Sequence, residues 1–219
     1  MYRLLSNITV VCLLAVSVNA ADLHGVVKRP PVTPVVMREA TRYRNLEKTE
    51  DEAFDANCRC NPGLFAVISL HADTTISFPP SSDTASLTQK DKRFEPSVLA
   101  VGVNSTVSFP NLDPFYHNVF SYSKTKKFDL GKYKQGNTKY VTFDKPGIVQ
   151  VFCEIHHSMR AYVHIFDTPY FAVSDDQGHF VINDVPKGTY TMTVWQEGQA
   201  DLSEVVTVAA DSSWVEVPY

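Results

Sequence analysis

The sequence predicts an all-β chain made of two small sandwiches, and three observations carry that expectation. From Gln89 onward short β-prone runs alternate with turn residues at close intervals, the pattern of a sandwich or barrel. Near the C-terminus Phe180 and Ile182, then Tyr190, Met192 and Val194, keep a two-residue apolar period. No segment holds the three-to-four-residue apolar stripe of a strong helix, and no internal repeat is visible.

The chain opens with Arg3 and an apolar run through Ile8, Val10, Val11, Leu13, Leu14 and Val16, and small residues lead to Ala20. This reads as a secretory signal peptide over residues 1–20, with cleavage expected after Ala20, because the run is too short to span a bilayer comfortably. Nothing later is apolar for long enough to cross a membrane, so the mature protein is expected to be soluble, in a periplasm or outside the cell. Leu23 to Val27 reads as a first strand, followed by a loop rich in proline at Pro30, Pro31 and Pro34. Arg38 to Phe54 is charged, with apolar residues too sparse for a stripe. Gly63 to Leu70 reads as a buried strand, and the Thr, Ser and Pro79-Pro80 stretch after it as a loop. N-terminal strands are therefore expected over 21–75 and a linker loop over 76–88.

The block 89–166 comes next. Its strand candidates are Arg93 to Phe94, Val98 to Val103, Thr106 to Phe109, His117 to Tyr122, Lys139 to Phe143, Ile148 to Cys153 and Ala161 to Phe166. Asn111 to Pro114, Gly131 to Gly136 and Pro146-Gly147 supply the breaks. A second β unit covers 167–219. Asp175-Asp176-Gln177-Gly178 reads as a hairpin turn, Pro186-Lys187-Gly188 as another turn, and Glu204 to Val208 and Trp214 to Val217 as its last strands.

A net charge of −4, falling to −5 when Arg3 leaves with the signal, excludes a general nucleic-acid binder. Six lysines and a single acid, Asp129, nevertheless lie between Lys124 and Lys139. That stretch suits a solubilising loop and edge strand, or a docking surface for an acidic redox partner. Cys12 is lost with the signal and three cysteines remain. Exported chains usually pair their thiols, so an odd count leaves one with another task. Cys58 and Cys60 can pair with each other or with a partner molecule, or hold Cu(I) as paired thiolates, which leaves Cys153 spare.

The pattern that carries chemistry is His117-Asn118 followed by Cys153-Glu154-Ile155-His156-His157-Ser158-Met159. Copper that shuttles between Cu(I) and Cu(II) needs donors tolerable to both states, and two imidazoles, a thiolate and a weak axial thioether meet that need. Cys153 closes a strand and shares a face with Val149 and Val151, so its thiolate is expected to point toward the core. A tight turn then presents His156 and Met159, while His117 arrives from a separate strand. His157 competes with His156 as ligand. His164 is expected at a surface or interface, and His24, His71 and His179 have no partners at metal-like spacing. No catalytic dyad, activated nucleophile or open metal position can be read, so the chain is not expected to be an enzyme.

The run Phe94 to Val101, with Thr106-Val107-Ser108-Phe109-Pro110-Asn111 and His117-Asn118-Val119-Phe120, resembles the plastocyanin and amicyanin pattern of the cupredoxins. The Cys-x-x-His-x-x-Met loop is similar to the short ligand loop of amicyanin. The resemblance implies a Greek-key sandwich with one mononuclear type 1 (blue) copper site. In it Cys153 supplies the thiolate, His117 and His156 the imidazoles and Met159 the axial thioether, while Asn118 steadies the loop around the thiolate. Gly178 to Ile182 with Val185 to Tyr190 resembles carboxypeptidase regulatory-like (transthyretin-like) sandwiches, whose first strands would be Gly25 to Val27 and Ala66 to Leu70. The copper block would then be inserted, between about Ala72 and Asp167, into that second domain. Exported proteins with both resemblances are described as methylamine-utilisation-like. The implied task is one-electron transport, with His156 near the electron exit and a redox protein docking beside it. Copper delivery, or a structural adhesion module, are the rival tasks. Asn104-Ser105-Thr106 is a glycosylation sequon whose use depends on the organism.

Overall fold

The structure is a computed structural model that describes residues 20–28, 65–72, 84–209 and 212–218, and every regular element among them is a β-strand. The expected signal peptide up to residue 19, the charged stretch 38–54, and Cys58 with Cys60 lie outside the described residues.

Strands β1 (Ala20–Lys28) and β2 (Ala66–Ala72) come first. Ten more strands follow: β3 (Thr84–Ser86), β4 (Thr88–Lys90), β5 (Arg93–Glu95), β6 (Val98–Gly102), β7 (Thr106–Pro110), β8 (His117–Ser121), β9 (Phe128–Tyr133), β10 (Thr138–Thr142), β11 (Gly147–Phe152) and β12 (Arg160–Phe166). The chain ends with β13 (Phe171–Val173), β14 (His179–Pro186), β15 (Gly188–Gln196), β16 (Leu202–Val208) and β17 (Ser212–Pro218).

The first sandwich faces a five-stranded sheet, in the order β6-β12-β11-β8-β9, against a three-stranded sheet, β10-β7-β3. Alternation explains its core. Val149 and Val151 on β11, Val163 and Ile165 on β12, and Val107 and Phe109 on β7 all point between the sheets, where Phe94, Leu87 and Phe143 fill the gap. Two findings correct the expected boundaries. β3 runs parallel to β7, with Ala85 opposite Val107, and Leu87 is fully buried, so residues read as linker belong to this sandwich. Gly131 does not break the chain: β9 pairs with β8 through a bulge at Gly131 (φ 63°), whose N–H donates to Asp129 Oδ1. Part of the basic stretch, Phe128–Tyr133 with Lys132, is therefore an edge strand.

The second sandwich joins the ends of the chain. Its sheets are β14-β1-β17 and β13-β2-β15-β16, around a core of Leu23, Ile68, Leu70, Phe180, Ile182, Met192 and Val217. β1 pairs antiparallel with β14 and parallel with β17, and β2 lies between β13 and β15. The strands before residue 73 thus pair with strands beyond residue 170, and the ligand-bearing sandwich lies between them in sequence. Asp175 to Gly178 is a turn, but not a hairpin: it carries the chain from β13 in one sheet to β14 in the other. Asp175 Oδ1 accepts from the N–H groups of Gln177 and His179. Gly178 is required there, because its φ is 90° and a Cβ would stand 2.3 Å from the Val27 carbonyl oxygen.

The sandwiches meet along β12. Its odd residues face the first core, and its even residues face the second sandwich. Tyr162 and His164 pack on Trp195, with ring centroids 4.9 and 4.4 Å apart, and Phe166 stacks on Phe171. Arg160 pairs with Glu197 at 3.1 Å, and Glu197 also accepts from the Tyr162 hydroxyl at 2.8 Å. His164, expected at a surface or interface, is 3% exposed, and burial lowers its pKa to about 3.

Candidate metal centre

Three of the expected ligands converge at one end of the first sandwich. His117 opens β8 after the Pro114 turn, Cys153 directly follows β11, and His156 stands on the loop that returns to β12. The Cys153 N–H donates to the Met159 carbonyl and the Met159 N–H to that of His156, which closes the loop over the site. The nearest polar atoms of His117, Cys153 and His156 lie within 4.8 Å of one another. His117 Nδ1 is 3.1 Å from His156 Nδ1 and 3.6 Å from Cys153 Sγ. Met159 is buried in the same core as Cys153, whereas His157 is exposed and outside the cluster.

Two of the three separations match bonding to a single ion, and the third pair, Cys153 with His156, lies within 4.8 Å. Donors bonded at about 2.0–2.1 Å (nitrogen) and 2.3 Å (sulfur) would span 3.1 and 3.6 Å at angles of roughly 100° and 110°. A thiolate with two imidazoles is a donor set suited to copper in both common oxidation states. The residues therefore fit the metal that the sequence pattern implies.

The surroundings hold each donor in place. Asn118 Oδ1 accepts from the Glu154 N–H at 2.7 Å and lies 3.7 Å from Cys153 Sγ, so the side chain ties β8 to the ligand loop. Asp113 was not singled out in the sequence. It lay in a segment read only as a turn, and the one local signal was a carboxylate four residues before a ligand histidine. Its Oδ2 accepts from His117 Nε2 at 2.7 Å, and its two oxygens accept from the N–H groups of Asp91 and Lys92. Burial pushes the Asp113 carboxyl up, but the bonds from Lys92, His117 and Asp91 outweigh it and hold the group below the usual carboxylate range.

Gln89, Asn111 and Tyr133 were missed as well. Asn111 Nδ2 donates to the carbonyls of Phe115 and Tyr133, and its Oδ1 accepts from the Asp113 N–H. Tyr133 donates to the Phe109 carbonyl and receives a bond from Gln89, and burial raises its phenol pKa. Phe115 contacts both candidate imidazoles at 5.5 Å, and Leu112, Phe115, Tyr116 and Ile155 are exposed apolar residues.

A family model described as polysaccharide lyase family 4, domain II, matches residues 163–214. The resemblance to carboxypeptidase regulatory-like domains has no counterpart there. No curated protein matches the chain. Among solved structures, the chain is similar to a copper-containing nitrite reductase from Thermus scotoductus SA-01, at 23% identity and a TM-score of 0.37, over 40% of this chain and 25% of that one. It is also similar to a purple cupredoxin from Nitrosopumilus maritimus, at 20% identity and a TM-score of 0.34, over 37% of this chain and 99% of that one. A methionine-to-alanine mutant of amicyanin in its Cu(I) form is 18% identical at a TM-score of 0.36, over 45% of this chain and 98% of that one. The chain thus spans a quarter of the nitrite reductase chain it matches, and each likeness covers less than half of this chain.

Proposed function

We propose that this chain is an exported copper protein that holds one mononuclear type 1 site and acts as a one-electron carrier rather than an enzyme. The observation that carries the reading is the convergence of the His117, Cys153 and His156 donor atoms within 4.8 Å of one another, with Met159 buried in the same core. Bound copper would supply one reversible electron between Cu(I) and Cu(II). The chain's own residues keep His117 and Cys153 away from solvent and fix them between rigid strands, so little rearrangement accompanies a change of charge. His156, half-buried, is the candidate ligand nearest the surface, and the exposed Phe115 on its ring and Ile155 next to it in the chain offer apolar contact. Lys132 and Lys134, exposed on and just after the β9 edge, supply the charge for an acidic redox partner.

Copper delivery is the second reading, favoured by the same partial exposure of His156, which gives an acceptor access to one ligand. The visible spectrum of the purified protein with Cu(II) tests the site: a strong thiolate-to-copper band is expected, and its survival in Cys153→Ala would overturn the reading. Reversible reduction with copper retained supports the carrier, and rapid transfer of copper to a chelating acceptor supports delivery. His156→Ala and His157→Ala decide between the adjacent imidazoles, with loss of the band expected only in the first.

A further inference from the structure

We propose that Asp113 is a positioning residue that selects the tautomer of His117 and so presets its Nδ1 as the donor facing Cys153 and His156. The purpose of this device rests on the copper reading; its geometry does not.

A neutral imidazole carries one N–H and one lone pair, and the partner of one nitrogen decides the task of the other. An ionised carboxylate only accepts hydrogen bonds. With Asp113 Oδ2 2.7 Å from His117 Nε2, the proton belongs on Nε2 and the lone pair on Nδ1, which is the nitrogen turned toward Cys153 Sγ and His156. The His117 ring is fully buried, so no solvent competes for Nε2.

Asp113 is held as firmly as the ring it holds. Its N–H donates to Asn111 Oδ1 at 2.9 Å, Asp91 N–H reaches Oδ1 at 2.7 Å, and Lys92 N–H reaches Oδ2 at 3.0 Å. Asp91 and Lys92 form the tip of the β4–β5 hairpin, and both are left-handed, with φ of 52° and 56°. Two consecutive left-handed residues make the tight two-residue hairpin turn, an uncommon conformation for residues other than glycine, asparagine and aspartate. Here that turn aims two successive N–H groups at one carboxylate. The hairpin at 88–95 thus acts as a cradle for the residue behind the ligand. An ionised acceptor on Nε2–H also makes Nδ1 a stronger donor, which favours the more highly charged state of a bound metal.

The test is nitrogen-15 NMR of the imidazoles in the full-length, metal-free protein, followed by redox titration with Cu(II) as the only added metal. Wild type is expected to show His117 as a single tautomer protonated on Nε2, and Asp113→Ala to lose it to a mixture or to the opposite form. A wild-type ring protonated on Nδ1, or an unchanged tautomer in Asp113→Ala, would overturn the proposal. Should the alanine variant fail to fold, Asp113→Asn decides: its carbonyl keeps the tautomer but not the charge, so the copper midpoint potential is expected to rise with the charge-transfer band retained. An unchanged midpoint would remove the electrostatic part. If the tautomer behaves as expected but Cu(II) gives no thiolate band in wild type, Asp113 keeps its role and the copper reading fails instead.

Discussion

The two sandwiches are built from the same kind of strand around apolar cores of similar make-up, yet among the described residues the connected cluster of buried amide, carboxylate and imidazole groups lies at one end of the first. In the second sandwich, Leu23, Ile68, Leu70, Ile182 and Met192 interlock between the sheets, and its buried Ser69 lies on the opposite face of β2 from Ile68 and Leu70. In the first, the apolar layers of Val107, Phe109, Val149 and Val163 give way to Gln89, Asn111, Asp113, His117 and Asn118, none more than 4% exposed. Burying such groups is unfavourable unless each is paired, and each of these five makes at least one hydrogen bond. The first sandwich concentrates this cost at one end of its core, where the candidate donors also lie, and a local departure from apolar packing is where a site is expected.

The largest expected effect separates the two directly. Cys153→Ala removes the thiolate, and the Cu(II) charge-transfer band should vanish entirely, whereas Ile182→Ala in the second core should leave band position and intensity unchanged. Visible spectra of the two variants at equal copper loading check this. A bleached band in folded Ile182→Ala would show that the second sandwich is part of the site and break the contrast.

Stability should follow the reverse pattern, with both cores sensitive. Phe109→Ala is expected to cost about 3–5 kcal/mol and Ile182→Ala about 2–5 kcal/mol, because each leaves a cavity where the side chain was fully enclosed. Denaturant unfolding of the metal-free protein measures both. A loss below about 1 kcal/mol at Ile182 would mean that the second core closes around the gap or is loosely packed.

The candidate donors could be picked out because their spacing is local: Cys153, His156 and Met159 lie on one strand-joining loop, and His117 opens a strand marked by its own alternation. The support for those ligands was not legible, because it is assembled across the chain. Nothing near Asp113 announces that a hairpin tip some twenty residues upstream will bond it. β3 escaped notice because Thr84-Ala85-Ser86 is too short and too polar to show a period, and its place is set by parallel pairing with β7. Gly131 reads as a breaker in sequence and acts as a bulge in the sheet. Asp175 to Gly178 shows the same limit from the other side: turn chemistry fixes a reversal, while the sheet that receives the next strand is decided by distant partners.

The seam between the sandwiches should make stability depend on acidity. His164 is buried against Trp195 with its Nε2 unpartnered, and its pKa falls to about 3 from an ordinary 6.5. The unfolded chain therefore takes up a proton near pH 6.5 that the folded chain refuses until about pH 3. Its contribution is full above pH 6.5 and is lost progressively as the pH falls toward 3, on the order of 1–2 kcal/mol by pH 5. Asp113, also lowered, acts in the same direction only as the pH falls through and below the ordinary carboxylate value of 3.8, so the two are separable by pH. Denaturant midpoints at pH 7.5 and 5 should differ less in His164→Leu than in wild type. Equal differences would mean that the seam opens to admit the proton without global cost.

The smallest expected effect bears most closely on how the sandwiches divide the work. Glu197 accepts from Arg160, the residue after Met159, and from Tyr162, whose pKa is raised to about 12 mainly by burial and then by Glu197. It is thus the contact of the second sandwich nearest in sequence to the ligand loop. Arg160 is substantially exposed, so the ion pair is worth less than about 1 kcal/mol, and Glu197→Gln should lower the denaturant midpoint only slightly. Its copper spectrum should match wild type, because Met159 is held independently: its N–H bonds to His156 and its side chain is buried among residues of the first core. A shifted band in Glu197→Gln, without a comparable shift in Ile182→Ala, would mean that the pair positions the loop through Arg160. The second sandwich would then be a support for the ligand loop acting through one contact, and the contrast between a functional and a structural half would hold everywhere except at that residue.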